Sequence, residues 1–355
     1  MNKELIVVGE MHWDLYYEND HYTQMVEKIV ERLIQFIRYN PDDLVNRNLL
    51  KKVVTSGLSE TPKKIPGQSY IKRGGNGNNT SESLINLDIP VKLISVIGKK
   101  SQWMIDELNE KGINTSSISK INEITPISTI IRSELTTKIH IASNLKEKMN
   151  FKSIDLDLSL LGTSDLLFIT PLADKYKEIL NEAQKQEMII AVNIEYQKIQ
   201  QKSGLQTILE EKIDLLFINL DNARLILGEN IEVGKVDQFF KDYARIRVYT
   251  NGKEGSHIIT DITKPNYIPS KEIKVLDRTG AGDCFAAGFL AKVYSLIGTK
   301  KQLLKLFNNE SSENLYDILE QCGEFGTYTA MYKISNQEVP QQKELEQFIK
   351  SFERE

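Results

Sequence analysis

Gly280, Ala281 and Gly282 lead directly into Asp283, and small apolar residues follow from Cys284 to about Tyr294. Glycines on both sides of an alanine let a backbone come close to an anion, and the unpaired amides at a helix start stabilise negative charge. A carboxylate in that first turn would face the anion's reacting partner rather than solvent. Gly-Ala-Gly-Asp therefore reads as an anion hole with a carboxylate beside it, which suits transfer of a phosphoryl group onto a hydroxyl. The other reading is a strand-to-helix turn capped by Thr279, with Asp283 favoured there by its charge alone. Spacing by itself does not separate the two.

Three further stretches carry polar chemistry. In Gly74-Gly75-Asn76-Gly77-Asn78-Asn79, close backbone approach meets amide side chains that both donate and accept, which suits a ligand with several hydroxyls, although such clusters also make ordinary turns. Thr250-Asn251-Gly252-Lys253-Glu254-Gly255 is a tight turn, either at a nucleotide's edge or as a plain hairpin. Asp14 lies just beyond Leu5-Ile6-Val7-Val8-Gly9, a buried first strand by its apolar run and terminal glycine. Residues past the carboxyl ends of parallel strands line the binding crevice, so Asp14 is a substrate contact or a loop aspartate capping local amides. His12 beside it is a ligand contact or a structural hydrogen-bonding group.

The elements that position these residues follow from periodicity. Short apolar strands are predicted at Lys92–Gly98, Asp165–Thr170, Met188–Val192, Asp214–Ile218 and Arg245–Tyr249, with a return strand near His257–Thr260. Helical stretches at Trp103–Lys111 and Lys175–Gln186 alternate with them, and the rhythm predicts a three-layer α/β body with a mostly parallel sheet. Thr125–Arg132 and Lys138–Ala142 are short strands outside that rhythm, a lid or side sheet. From His21 to Tyr39 a broad helical apolar face runs up to Pro41, and a second helix is predicted from Leu44 to Val54 before a connector through Gly67. Leu315–Leu319 and Gly323–Tyr332 read as helical walls, and Gln341–Glu355 as a peripheral helix. The chain is thus expected to be a single domain over residues 1–355, with a helical insertion and connector at 15–70 and part of a β lid at 120–145.

Composition narrows the classes. A net charge of -4 argues against a general nucleic-acid binder. Cys284 and Cys322 make no disulfide framework, and the four scattered histidines give no zinc spacing. No apolar run approaches the roughly 20 residues that cross a bilayer, and Met1-Asn2-Lys3 enters a strand without a secretory core, so a reduced cytoplasmic setting is expected. The dinucleotide fingerprint Gly-x-Gly-x-x-Gly and the phosphate loop Gly-x-x-x-x-Gly-Lys-Ser/Thr are missing from the strand–helix junctions, which speaks against a dehydrogenase or a P-loop NTPase.

In their order along the chain these stretches resemble the ribokinase-like carbohydrate kinases, the PfkB family. Asp277-Arg278-Thr279-Gly280-Ala281-Gly282-Asp283 matches the family's Asp-x-Thr-Gly-Ala-Gly-Asp. Gly74 to Asn79 resembles its Gly-Gly-x-x-x-Asn substrate motif, Gly9 and Asp14 its opening strand and substrate aspartate, and Thr250, Gly252 and Gly255 its Thr-x-Gly-x-x-Gly nucleotide pattern. The resemblance implies a Rossmann-like α/β sandwich with a small β lid that binds ATP and a hydroxyl-bearing, carbohydrate-like substrate. It implies Asp283 as the base, Gly280, Ala281 and Gly282 as the anion hole, and Asp14, Gly75 and Asn79 as substrate contacts. Asn219, Thr250, Gly252 and Gly255 would lie on the nucleotide side, with Mg2+ held through phosphate oxygens and water rather than a protein cage. A homodimer is an expected partner arrangement, with neither nucleic acid nor membrane.

Two departures stand out. Where the family often has Asn-x-x-Glu, this chain has Asn219-Leu220-Asp221-Asn222, and Asn222 carries no charge. Either Asp221 compensates, or the chain is a catalytically weak or inactive nucleotide- or sugar-binding regulatory protein. The separation between Asp14 and Gly74 is also long. Its basic residues, Lys63, Lys64, Lys72 and Arg73, either converge on a phosphorylated substrate or form a solvated surface.

Overall fold

A computed structural model of the chain describes residues 3–18, 27–35, 47–59, 68–132, 139–142, 158–196, 198–199, 202–228, 232–308 and 312–352. In chain order the first elements are β1 (Leu5–Gly9), β2 (His12–Glu18), α1 (27–35), α2 (Arg47–Ser59), β3 (Gln68–Gly74) and α3 (Asn76–Asn86). Next come β4 (Val91–Lys99), α4 (Gln102–Glu110), β5 (Ile118–Ile124), β6 (Ile127–Arg132), β7 (Ile139–Ala142), β8 (Leu166–Thr170) and α5 (Lys177–Lys185). They are followed by β9 (Ile189–Ile194), α6 (Lys202–Ile208), β10 (Ile213–Asn219), α7 (Leu220–Leu227), α8 (Val233–Phe240) and β11 (Ala244–Thr250). The chain ends with β12 (Ser256–Ile259), β13 (Asn266–Ile268), α9 (Ala281–Leu296), α10 (Lys300–Leu306), α11 (Ser312–Asn336) and α12 (Gln342–Phe352).

These elements fall into two compact units. The first, Met1–Met11 with Gly74–Thr125 and Glu147–Glu355, is built on a sheet of nine strands in the order β13-β12-β11-β10-β9-β8-β1-β4-β5. From β11 to β5 every pairing is parallel, and only β12 and β13 turn back antiparallel. The buried apolar runs explain why. Parallel strands are covered on both faces, and Leu5 to Val8 of β1 and Leu166 to Ile169 of β8 are all in the core. Each such side chain stabilises the fold by about 1.5–3 kcal/mol.

Alternate residues serve opposite layers. Ile190, Val192 and Ile194 of β9 and Leu216 and Ile218 of β10 pack with Ile179, Leu205, Ile226 and Phe240 from α5 to α8. Phe168 and Phe217 face the other way, and Phe217 meets Phe289 of α9 edge-on at 5.2 Å. The one charged residue fully inside β11 is Arg247, held by Asp237 through two bonds of 2.8 and 3.2 Å and by Asp261 at 3.0 Å. Such pairing is the condition for burying a guanidinium. Among the described residues no helix is long and apolar enough to cross a membrane.

The second unit, His12–Arg73 with Pro126–Lys146, holds a four-stranded sheet in the order β3-β2-β6-β7. Two strands at Thr125–Arg132 and Lys138–Ala142 were to be expected, and β6 and β7 pair antiparallel there; β2 and β3 complete the sheet. Residues 27–35 form the described part of the predicted His21–Tyr39 helix, the rest of which lies outside the described residues. α1 meets α2 where Gly57 lies against Ile29. The described part of α2 is Arg47–Ser59, which runs past the predicted end at Val54; residues 44–46 lie outside the described residues.

Candidate active site

The Gly/Asn stretch is not a loop leading to a helix but the first turn of α3 itself. Gly75, at φ 102, is its N-cap, and a Cβ there would run into Glu10 O. Gly9 and Gly77 meet backbone to backbone: a Cβ on Gly9 would sit 2.7 Å from Gly77 Cα, and Gly77 N–H donates to Glu10 O at 3.1 Å. Only glycine permits that approach, which seats the start of α3 on the carboxyl end of β1.

Asp283 is positioned by the turn that precedes it. Asp277 is buried, and its Oδ1 accepts from Thr279 N–H at 3.0 Å and from the Thr279 hydroxyl at 2.7 Å. Leu276 and Asp277 both donate their amides to Ile334 O of α11, at 3.0 and 3.2 Å. The chain then passes through Gly280 in the left-handed region, φ 74, and enters α9 at Ala281, three residues before the apolar run suggests. Ala281 N–H donates to Arg278 O at 3.2 Å and Cys284 N–H to Gly280 O at 2.9 Å. Half-buried Asp283 accepts at Oδ2 from Asn79 Nδ2 at 2.8 Å. Gly282 is exposed, and a Cβ added there meets no heavy atom within 4 Å among the described residues.

A pocket opens at this helix start, walled by the carboxyl ends of three neighbouring parallel strands. Asn193, Ile194 and Glu195 come from the end of β9, Phe217, Ile218 and Asn219 from β10, and Thr250 from β11. Asn76 of α3, Asn222 of α7, Arg278, the Gly280–Asp283 turn and Phe285 complete the lining. Side-chain hydrogen bonds fix its walls. Asn76 Nδ2 donates to Glu195 Oε1 at 2.7 Å, Asn219 Oδ1 caps α7 by accepting from Asp221 N–H at 2.8 Å, and Asn222 Oδ1 accepts from Tyr196 N–H at 3.1 Å.

Of the residues singled out in the sequence, Gly280, Ala281, Gly282, Asp283, Asn219 and Thr250 line this one pocket. Asn79 joins them through its bond to Asp283, and Gly75 supports α3 from below. Gly252 and Gly255 form the turn between β11 and β12 and are not lining residues; a Cβ on Gly255 would run into Ile268 O. Asp14 belongs to the second unit, where it lies within β2 rather than in a loop, buried and 3.0 Å from His12 Nε2. Asp221 is turned away: its side chain is 82% exposed and 3.3 Å from Arg224. Lys63 and Lys64 lie outside the described residues, while Lys72 rests over the rings of Tyr16 and Tyr70 at 5.8 and 5.3 Å.

Sequence reasoning missed Asn193 and Glu195, and named Asn76 and Arg278 only as members of their motifs, with no role of their own. Strand β9 runs two residues beyond the predicted Val192, and the rule that ligands gather past strand carboxyl ends points at Asn193 and Glu195 once that end is set correctly. No group of three or more His, Cys, Asp or Glu side chains that could cage a metal occurs among the described residues. Amides, two carboxylates and an arginine around an exposed glycine turn suit a polyanion that brings its own metal.

A sequence model of the pfkB family carbohydrate kinases matches residues 50–341. A 5-dehydro-2-deoxygluconokinase of Listeria innocua is 28% identical over 144 residues, 38% of this chain and 44% of that protein, so the match spans under half of its length. Among solved structures, ribokinase from Giardia lamblia superposes over 99% of this chain and all of its own, with a TM-score of 0.72 at 15% identity. Ribokinase from Arabidopsis thaliana, complexed with ribose and ATP, covers 99% of both chains with a TM-score of 0.68 at 17% identity.

Proposed function

The chain belongs to the pfkB family of carbohydrate kinases, and on that premise we propose that it transfers the γ-phosphoryl group of ATP to a hydroxyl of a small carbohydrate-like acceptor. The observation that carries the reading is the Asp283 carboxylate, held by Asn79 at 2.8 Å in the first turn of α9, beside a glycine turn open to an anion. Asp283 takes the proton of the attacking hydroxyl as the new oxygen–phosphorus bond forms and the bond to the β-phosphate oxygen breaks, releasing ADP. The backbone of Gly280, Ala281 and Gly282 faces the charge that develops on the transferred group, and Arg278 adds a cation at the same turn. Ala281's amide already donates to Arg278 O, so on this reading the Gly282 amide carries most of that role.

Asp14, Gly75 and Asn79 orient the acceptor. Asn219, Thr250, Gly252 and Gly255 serve the nucleotide. Mg2+ arriving with ATP would supply charge neutralisation at the phosphate oxygens, held through those oxygens and water. The four-stranded sheet of the second unit is assigned the part of the substrate lid, within one kinase domain whose 15–70 segment is an insertion. A homodimer and a cytoplasmic setting complete the proposal.

The test is product-resolved phosphoryl transfer from Mg-ATP across sugars, sugar acids, sugar phosphates and nucleosides. The Listeria relative's name puts 5-dehydro-2-deoxygluconate on that panel. A phosphorylated acceptor is expected, with Asp283→Asn lowering its rate by roughly 10²–10⁴-fold while thermal unfolding stays unchanged. Nucleotide binding without transfer to any acceptor would replace the kinase by a ligand sensor.

A further inference from the structure

Among the described residues, the pocket around the start of α9 is lined by four neutral amides, on Asn76, Asn193, Asn219 and Asn222, but by only two carboxylates, Glu195 and Asp283. With Asp283 committed to the acceptor's proton, a metal-bearing triphosphate still needs negative charge facing the metal's water shell. Position 222 does not supply it. Its side chain is an amide, and the oxygen of that amide is occupied by Tyr196 N–H at 3.1 Å. Asp221 does not supply it either, being exposed and drawn to Arg224.

Glu195 stands where such charge is wanted. Asn193 pairs with Phe217 and Ile194 with Ile218 in the parallel register of β9 and β10, and Asn219 pairs with Thr250 in that of β10 and β11. Carried one residue on, the register sets Glu195 level with Asn219 and Thr250 across three strand ends. Ile194 is wholly buried in the opposite layer, and strand alternation gives Asn193 and Glu195 the pocket side. The Glu195 carboxylate is half-buried and oriented by Asn76 Nδ2 at 2.7 Å. The same two strand-end segments are tied together by the Tyr196–Asn222 bond, so a charge on residue 195 and one on residue 222 would address the same corner of the pocket.

We propose that Glu195 is the carboxylate through which this chain orders the water shell of nucleotide-bound Mg2+, and that the acidic function absent at residue 222 has moved across to the end of β9. The inference rests on the kinase reading above. Glu195 acts through water and metal and is a positioning residue, so its signature is metal dependence rather than a simple loss of rate.

The experiment is calorimetric titration of ADP into the full chain with Mg2+ and with a chelator, for wild type, Glu195→Gln and the double variant Glu195→Gln/Asn222→Glu. Glutamine keeps the shape and can still accept from Asn76. It is expected to cut the Mg2+-dependent gain in ADP affinity by roughly 10–100-fold and to leave the metal-free affinity unchanged. The double variant, which returns a carboxylate to the neighbouring segment, is expected to recover part of that gain. If Glu195→Gln does not fold, Glu195→Asp, with the charge kept but withdrawn by one methylene, takes its place with a smaller loss expected. An unchanged Mg2+-dependent gain, or an equal loss with and without Mg2+, overturns the assignment while wild-type transfer still upholds the kinase. Wild type that neither binds Mg-ADP nor transfers overturns the kinase reading itself.

Discussion

Asn76 and Asn79 lie one helical turn apart at the start of α3, and each gives its side-chain amide to a different carboxylate, Glu195 at 2.7 Å and Asp283 at 2.8 Å. A lysine in either place would hold the carboxylate more strongly, but it would also stabilise the charged form and weaken a base. Beside that base sits Cys284, whose place in the first turn of α9 would ordinarily favour a thiolate. Burial wins there and pushes the thiol up to about 12, and its sulfur lies 3.3 Å from the Ser83 hydroxyl. Iodoacetamide at pH 8 is therefore expected to spare Cys284 in the native protein and to label it after unfolding in guanidinium, read by mass spectrometry. Native labelling at a rate near that of the unfolded chain would contradict it. At this scale the sequence shows Asp283 and Asn79, because their motifs are local. It does not show their bond, which joins residues 204 positions apart, nor the bond between Asn76 and Glu195 across 119 positions. Asn79 was to be expected on the substrate alone; its contact with Asp283 makes it a support of the proposed base as well.

Helix α9 is held in place by α11, and the contact is drawn so close that a methyl group decides it. A Cβ on Gly288 would run into the Thr329 hydroxyl and lie 3.0 Å from Gly326 Cα, while that hydroxyl is itself tied to Phe325 O at 2.7 Å. Gly288→Ala is expected to cost about 1–3 kcal/mol in chemical denaturation, since neither backbone nor hydroxyl can yield cheaply. An unchanged midpoint would show that the two helices part more easily than their spacing implies. The same closeness explains why α11 is hard to read. Leu315–Leu319 and Gly323–Tyr332 read as helical walls given in two stretches, yet Ser312–Asn336 is one helix. Gly323 sits inside it because a side chain there would meet Ile258 and Ile268, at 2.5 and 2.7 Å from a built Cβ. The parallel strands β1, β4 and β8 to β11, by contrast, were legible from their apolar runs, because burial on both faces leaves no alternation to misjudge, whereas β5, with Ile118 alone buried, has no such run and was missed. The strand ends were not, because the polar residues that close them are the ones the pocket uses. Asn193 and Asn219 extend β9 and β10 in this way.

Across the whole molecule the proposed duties divide between the two units. The residues assigned to the phosphates and to the base belong to the first unit, and Asp14 belongs to the second. Asp14→Asn is therefore expected to raise the KM for the acceptor by roughly 10–100-fold, the worth of one hydrogen bond to a charged group, with ADP affinity unchanged. Equal losses of both affinities would show that Asp14 serves the fold through His12 instead, 3.0 Å away. The α/β class could be read from rhythm alone, but only half of the second unit's sheet could: β6 and β7 were expected, whereas β2 and β3 carry tyrosines, lysines and acids rather than an apolar run. The glycines of the first unit also divide, by what keeps them. Gly9 and Gly77 are held by each other's backbone, so a lineage that stopped using its ligand would still have to keep them in order to fold. A Cβ on Gly282 would meet no heavy atom within 4 Å among the described residues, so packing does not demand glycine there and, on the proposed reading, the bound phosphate does. On the proposed reading, Gly282 and Asp283 beside an amide at 222 mark a carboxylate moved within the site and not a site abandoned.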